Sequence, residues 1–180
     1  FELMLFRDLS RAYYLNGNYE KSLENIIIAI NIQLNDFKDD IYSLADLYLQ
    51  ESDCYSMLGK FNESLKLTEK ALTIRTQIYG MNSCEVAQTL VTLARIKSWQ
   101  GYHQDAIKIS LDALNIYNTL DTCTLLSLSI CYHNIGYYYV QLYDANNAIY
   151  NLNKAVDINK NIFNEENIYI ASDYVYLGIA

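Results

Sequence analysis

The chain has 180 residues and a formal net charge of −8, from 21 acidic and 13 basic side chains. Hydrophobic residues make up 52% and charged ones 19%, which supplies a packed core and excludes an extensively disordered chain. An isoelectric point near 4.6 excludes nucleic acid and anionic membranes as default partners, because phosphate binding needs a basic face; no proline and only six glycines are a poor supply of turns for a small all-β fold.

In chain order, apolar spacing predicts helices over about 2–15, 19–36, 41–58, 61–79, 83–100, 103–120, 123–142, 145–163 and 167–180. These segments repeat. Gly17, Gly59 and Gly101 stand 42 residues apart, and Tyr143 occupies the next such position. Five places later come Ser22, Ser64, Ala106 and Ala148, and seven further on Ala29, Ala71, Ala113 and Ala155. Beside these run Ile30, Leu72, Leu114 and Val156, then Ile32, Ile74, Ile116 and Ile158. The register holds over four units without an insertion, a signature of stacked repeats. The organisation expected is one repeat domain of helical hairpins at about 1–38, 39–80, 81–122 and 123–164, followed by a lone helix at 165–180. With no initiating Met and a helical pattern that runs to Ala180, the chain reads as a piece of a longer protein.

Within a unit each feature has a physical cause. Leu44, Leu47, Tyr48 and Tyr55 mark a first helix ended at Gly59, and Leu65, Ala71, Leu72 and Ile78 mark a second ended at Gly80. Glycine at a helix end supplies the left-handed residue that caps the last carbonyls. The Ser and Ala columns allow two helix backbones to approach at about 8–10 Å. One hairpin cannot bury its apolar face, so the units stack. Residues 122–143 carry no formal charge over 22 positions, enough to span a bilayer. Ser127, Ser129, His133, Asn134, Gly136 and Gln141 would be costly against lipid, so a packed helix without membrane insertion is expected. Cys54, Cys84, Cys123 and Cys131 show no C-x-x-C spacing and read as reduced thiols of a cytoplasmic protein, with no leader sequence at the start. Cys123 and Cys131 are placed on one helix, and Asp39, Asp40, Glu165 and Glu166 at helix starts, where they complement the dipole.

The pattern Leu93-Ala94, Gly101, Ala106, Ala113-Leu114 and Ile116 resembles the tetratricopeptide repeat, whose usual length is about 34 residues. The 42-residue period, with Ala71-Leu72-Thr73-Ile74-Arg75, Tyr79-Gly80, Val86-Ala87 and Leu90, is similar to the repeats of kinesin light chains. Ser83-Cys84 stands where that family has His-Pro, and the loop at Tyr143 departs furthest from type. The resemblance implies an all-α, right-handed superhelical solenoid of helix-turn-helix repeats. Its first helices would line a groove that takes a partner peptide or helix. Carried over position by position, the groove residues are Arg7, Asp8, Arg11 and Tyr14, then Asp46, Gln50, Asp53 and Met57. Gln88, Thr92, Arg95 and Trp99 follow, then His133, Asn134, Tyr137 and Gln141, and finally Tyr176. The polarity of these positions, on helices otherwise flanked by helices, suits a solvated face.

Arg11, Asp53 and Arg95 share one column and read either as a polar ladder for a partner or as charges that pair with each other. Trp99 reads either as an aromatic anchor or as a ring half-buried on the next repeat. In the run 137–139 only Tyr137 is expected at the groove, and Tyr139 in the core. Asp53 stands where a clamp for a C-terminal carboxylate prefers an uncharged or basic group. His103 and His133 lack ligand spacing and no phosphate-binding or nucleophile-elbow motif occurs, so no enzyme, metal or cofactor is expected. The function expected is a protein-interaction scaffold using Arg7, Arg11, Gln50, Asp53, Arg95, Trp99, Asn134 and Tyr137. A sensor of signalling peptides and the regulatory arm of an enzyme are the alternatives. Self-association through the unpaired C-terminal helix is a further expectation.

Overall fold

A computed structural model describes residues 1–37, 40–163 and 167–180, so Asp39, Glu165 and Glu166 lie outside the described residues. Its helices are α1 (Glu2–Leu15), α2 (Tyr19–Asp36), α3 (Ile41–Met57), α4 (Phe61–Tyr79), α5 (Cys84–Trp99), α6 (His103–Thr119), α7 (Leu125–Gln141), α8 (Ala145–Ile162) and α9 (Ile168–Leu177). Among the described residues there is no strand. Among the described residues no helix is long and apolar enough to cross a membrane. α1, α2 and α4 fall on their predicted bounds; α7 starts two residues late because Thr124 caps it, its Oγ1 accepting from Ser127 N–H at 3.1 Å. The chain forms two compact units, residues 1–81 and 82–180.

Each first helix ends in the same way. Asn18 N–H donates to Tyr13 O at 2.9 Å and Gly17 N–H to Tyr14 O at 3.0 Å, the paired bonds of a Schellman cap. The pair recurs at Lys60 and Gly59, at Tyr102 and Gly101, and at Asp144 and Tyr143. The residue that makes the turn has φ of 74° at Gly17, 73° at Gly59 and 87° at Gly101. Tyr143 adopts the same conformation at 59°, which disfavours a side chain with Cβ. The geometry of the cap is thus retained where its glycine is lost.

Inside a hairpin the helices cross where side chains are smallest. In residues 1–81 the contact is made by serines: Ser10 Oγ donates to Ser22 O at 2.9 Å and Ser22 Oγ to Ser10 O at 2.8 Å. One repeat on, Ser52 Oγ donates to Ser64 O at 3.0 Å, and Thr68 and Ser56 hydroxyls complete the cluster. In residues 82–180 the same positions are Ala94 with Ala106 and Gly136 with Ala148, all buried. A Cβ built on Gly136 would lie 2.6 Å from Leu152 Cγ and 3.2 Å from Leu152 N, so α7 and α8 meet there with no room for a methyl group. Around these crossings lie the cores. Ile26, Ala29, Ile30 and Leu47 pack with Leu3, Phe6, Leu23, Leu44 and Tyr48 in the first unit. Ala94, Ala106, Ile107 and Tyr138 pack with Ile109, Tyr137 and Tyr139 in the second. Tyr138 is the fully buried member of that aromatic run, whereas Tyr139, expected in the core, is half-buried.

The cysteines correct the sequence reading. Cys84 and Cys123 form a disulfide with Cα atoms 5.4 Å apart, while Cys54 and Cys131 are buried and free. Cys123 precedes the cap of α7 and is not on the same helix as Cys131. The 39-residue separation is close to one period, and stacking brings successive first-helix starts together.

Two sets of substitutions test this packing. Ala71→Leu and Ala113→Leu, both at fully buried positions, should each lose about 1–3 kcal/mol to overpacking. Gly136→Ala should lose about 1 kcal/mol, because the clash with Leu152 outweighs alanine's better helix propensity. Tyr143→Gly should gain about 1 kcal/mol by relieving its positive φ. Urea unfolding followed by circular dichroism measures all four; a Tyr143→Gly variant less stable than the parent would refute the strain at that turn.

Candidate functional site

In the first unit the expected residues gather on the facing sides of α1 and α3. Helical spacing sets Leu3, Arg7 and Arg11 in a row on α1, and Ser43, Asp46, Leu47 and Gln50 on α3. They line a cavity of about 340 Å³ together with Asp8 and Gln33. A second cavity of about 290 Å³ adjoins it, lined by Ser10, Arg11, Tyr14, Leu15, Ser22, Gln50, Asp53 and Cys54. Arg11 and Gln50 belong to both.

The charges here are largely balanced. Arg75, reaching across from α4 and only 12% exposed, holds Asp46 at 2.7 Å. Arg7 Nε lies 3.5 Å from Asp8. The floor is uncharged: Gln33, 1% exposed, donates through Nε2 to Phe37 O at 3.1 Å and Asp40 O at 2.9 Å. Its Oε1 is covered and accepts no hydrogen bond from the protein, and the same holds for Gln50 Oε1. Gln33 and Gln50 line the cavity beside the guanidiniums of Arg7 and Arg11. Asp40, the cap of α3, has its carboxyl held below the usual range by the Ser43 hydroxyl and then by the Ser43 backbone N–H.

In the second unit Arg95 and Trp99 stand together on α5, the guanidinium carbon 5.2 Å from the indole centroid. Trp99 is 38% exposed. Asn134 and Tyr137 are half-buried on α7. Tyr137 meets Tyr176 of α9 edge-on at 5.1 Å, and His133 meets the same ring at 5.5 Å. Burial pushes the phenol of Tyr137 up, and that of Tyr138 further, with Arg95 opposing the second shift. The ladder expected of Arg11, Asp53 and Arg95 is divided: the first two line one cavity of residues 1–81, and Arg95 belongs to residues 82–180.

Sequence reasoning missed a column. Gln33, Arg75, Tyr117 and Asn159 lie 42 residues apart, each four places after the alanine column. All are polar or amphipathic residues on second helices, and Gln33, Arg75 and Asn159 meet first-helix residues. Asn159 shows what the position does. Ser129 Oγ donates to Asn159 Oδ1 at 2.7 Å, and Asn159 Nδ2 donates to Asp173 Oδ2 at 2.9 Å. Asp173, fully buried on α9, also lies 2.6 Å from His133 Nδ1. A buried carboxylate is tolerated only when paired and hydrogen-bonded in this way. The sequence signal was present in the 42-residue spacing; Asp173 lies on the lone C-terminal helix, outside that column.

The comparisons agree with this architecture. The tetratricopeptide repeat profile matches residues 85–179. The RxLR effector protein SFI4 of Phytophthora infestans is 27% identical over 123 residues, covering 66% of this chain and 36% of that protein. The chain thus spans about a third of the length of that curated relative. The solved structure of a Podosopora anserina putative kinesin light chain with nearly identical TPR-like repeats superposes with a TM-score of 0.76 at 19% identity, over 97% of this chain and 83% of that one. A Rap protein complexed with competence and sporulation factor gives 0.81 at 16%, over 98% and 47%. At these identities the likeness to solved structures speaks for the fold. With the profile covering more than half of its residues, and helical hairpins repeating at a fixed period, the chain belongs to the tetratricopeptide repeat family.

Proposed function

We propose that this chain is a protein-interaction module that holds a segment of a partner protein on its first helices. The observation that carries this reading is the pair of adjoining cavities between α1 and α3, which share Arg11 and Gln50. An extended peptide presents backbone N–H and C=O groups at regular intervals. The side-chain amide of Gln50 and the guanidiniums of Arg7 and Arg11, which line these cavities, suit such a ligand in general and no single side chain in particular. Asp46 is already engaged by Arg75, so Arg7 and Arg11 favour a mixed or mildly acidic segment. In residues 82–180, Trp99, Tyr137 and Tyr176 offer amphipathic surface for an apolar anchor. The role assigned is binding, without catalysis.

A free signalling peptide is the second class of ligand, favoured by the likeness to a Rap protein solved with competence and sporulation factor. The two differ in a measurable way. A scaffold keeps its dimensions on binding, whereas a peptide sensor compacts, which small-angle scattering resolves.

The test uses a partner recovered with the full chain and then titrated by calorimetry. Arg11→Ala and Gln50→Ala should each weaken binding about tenfold, as loss of a charged or buried hydrogen bond does. Trp99→Ala should weaken it by a similar factor. Lys66→Ala, an exposed change on α4, should leave it unaltered. Loss of affinity in Lys66→Ala alone would place the partner on the second helices.

A further inference from the structure

Cys84 is the first residue of α5, and Cys123 stands directly before Thr124, the cap of α7. The disulfide between them therefore closes over the whole of α6. α5 packs chiefly on α6, and α7 on α6 and α8, so the two first helices touch each other little. Yet these are the helices that carry Arg95, Trp99, Asn134 and Tyr137. Among the described residues the disulfide is the one covalent link between them outside the chain itself. The connection it anchors runs over residues 120–123, up to the cap residue Thr124. Cys123 N–H reaches Leu120 O only at 3.4 Å, and Thr122 Oγ1 lies 3.6 Å from Cys84 Sγ.

We infer that Cys84–Cys123 is a redox-operated clasp that fixes the spacing of α5 and α7, and with it the competence of the face they present. Its functional meaning rests on the reading of that face as a binding surface. The chemistry is thiol–disulfide exchange with a dithiol. One thiolate of the reagent attacks a cysteine sulfur, the S–S bond breaks, and the other cysteine leaves as a thiolate that takes up a proton. The second thiol of the reagent then attacks the mixed disulfide, so the reagent departs as a cyclic disulfide and both cysteines are left as thiols. Two electrons pass from the dithiol to the protein.

The exchange is confined to this pair. Cys84 and Cys123 are half-exposed, and Cys84 opens a 16-residue helix, where the dipole favours a thiolate. Cys131 is fully buried, and burial pushes its thiol up to about 12; burial raises that of Cys54 as well. The pair also answers to its surroundings. Thiol pools of the cytoplasm keep such a bond open, and oxidising compartments keep it closed.

Thiol titration of the denatured, air-oxidised chain should count two free thiols, rising to four after dithiothreitol. Hydrogen exchange, resolved by peptide, should then quicken by about tenfold or more over residues 84–90 and 124–130 on reduction, with residues 2–57 unchanged. The Cys84→Ser, Cys123→Ser double variant should exchange like the reduced protein and ignore dithiothreitol. Four thiols before reduction, or equal exchange in the two redox states of the parent chain, would overturn the clasp without touching the proposed function. Altered exchange with a partner that binds equally well in both states would overturn the link between the clasp and binding.

Discussion

Everything in this fold depends on how closely two helices of a hairpin approach each other. The crossing points are Ser10 with Ser22, Ser52 with Ser64, Ala94 with Ala106, and Gly136 with Ala148. The chain meets one geometric requirement by two chemistries. In residues 1–81 the crossing is polar, and each buried hydroxyl finds a partner, often the carbonyl of the opposite helix. In residues 82–180 it is apolar, and at Gly136 the backbone itself receives Leu152. Serines at such a point need their partners, since an unpaired buried hydroxyl costs more than a methyl group. The serine pair thus ties position to identity, whereas the alanine pair asks only for small size.

Between α1 and α3 the first helices carry polar residues that line cavities, with Gln33 of α2 beside them and Arg75 of α4 reaching Asp46. There the chain sets charges that mostly cancel nearby. The net charge of −8 belongs to the surface at large, and the cavities between α1 and α3 carry Arg7 and Arg11 with Asp8, and Asp46 already tied to Arg75. On the proposed reading a partner would be selected there by hydrogen-bond geometry and apolar contact more than by long-range attraction, and salt should affect its affinity only modestly. At the other end of the chain the same repeat position is filled by Asn159, which spends its amide on Ser129 and Asp173 and seats α9 through a buried carboxylate.

Most of the fold was legible in the sequence because the period, the small columns and the turn glycines are local signals repeated four times. Even Tyr143, which breaks the glycine column, was found where a left-handed turn residue belongs. Pairings between side chains were less legible. Tyr138 and Tyr139 differ by about 100° on the helix, and only packing against Ala94 and Ala106 decides which is buried. The Cys84–Cys123 bond joins residues that are not in the same column, so the register did not reveal it; stacking of successive repeats did. The second-helix column of Gln33, Arg75, Tyr117 and Asn159 was overlooked because its members share polarity and position but no single residue type.

The central claim is that a partner lies on the polar stripe of the first helices. Backbone chemical-shift mapping tests it most directly, with amides assigned in the full chain and a partner segment titrated to saturation. The account predicts that shifts concentrate around Arg7, Arg11, Gln50 and Asp53 on α1 and α3, and around Arg95, Trp99, Asn134 and Tyr137 on α5 and α7. Shifts confined to the exposed sides of α2, α4, α6 and α8 would contradict it.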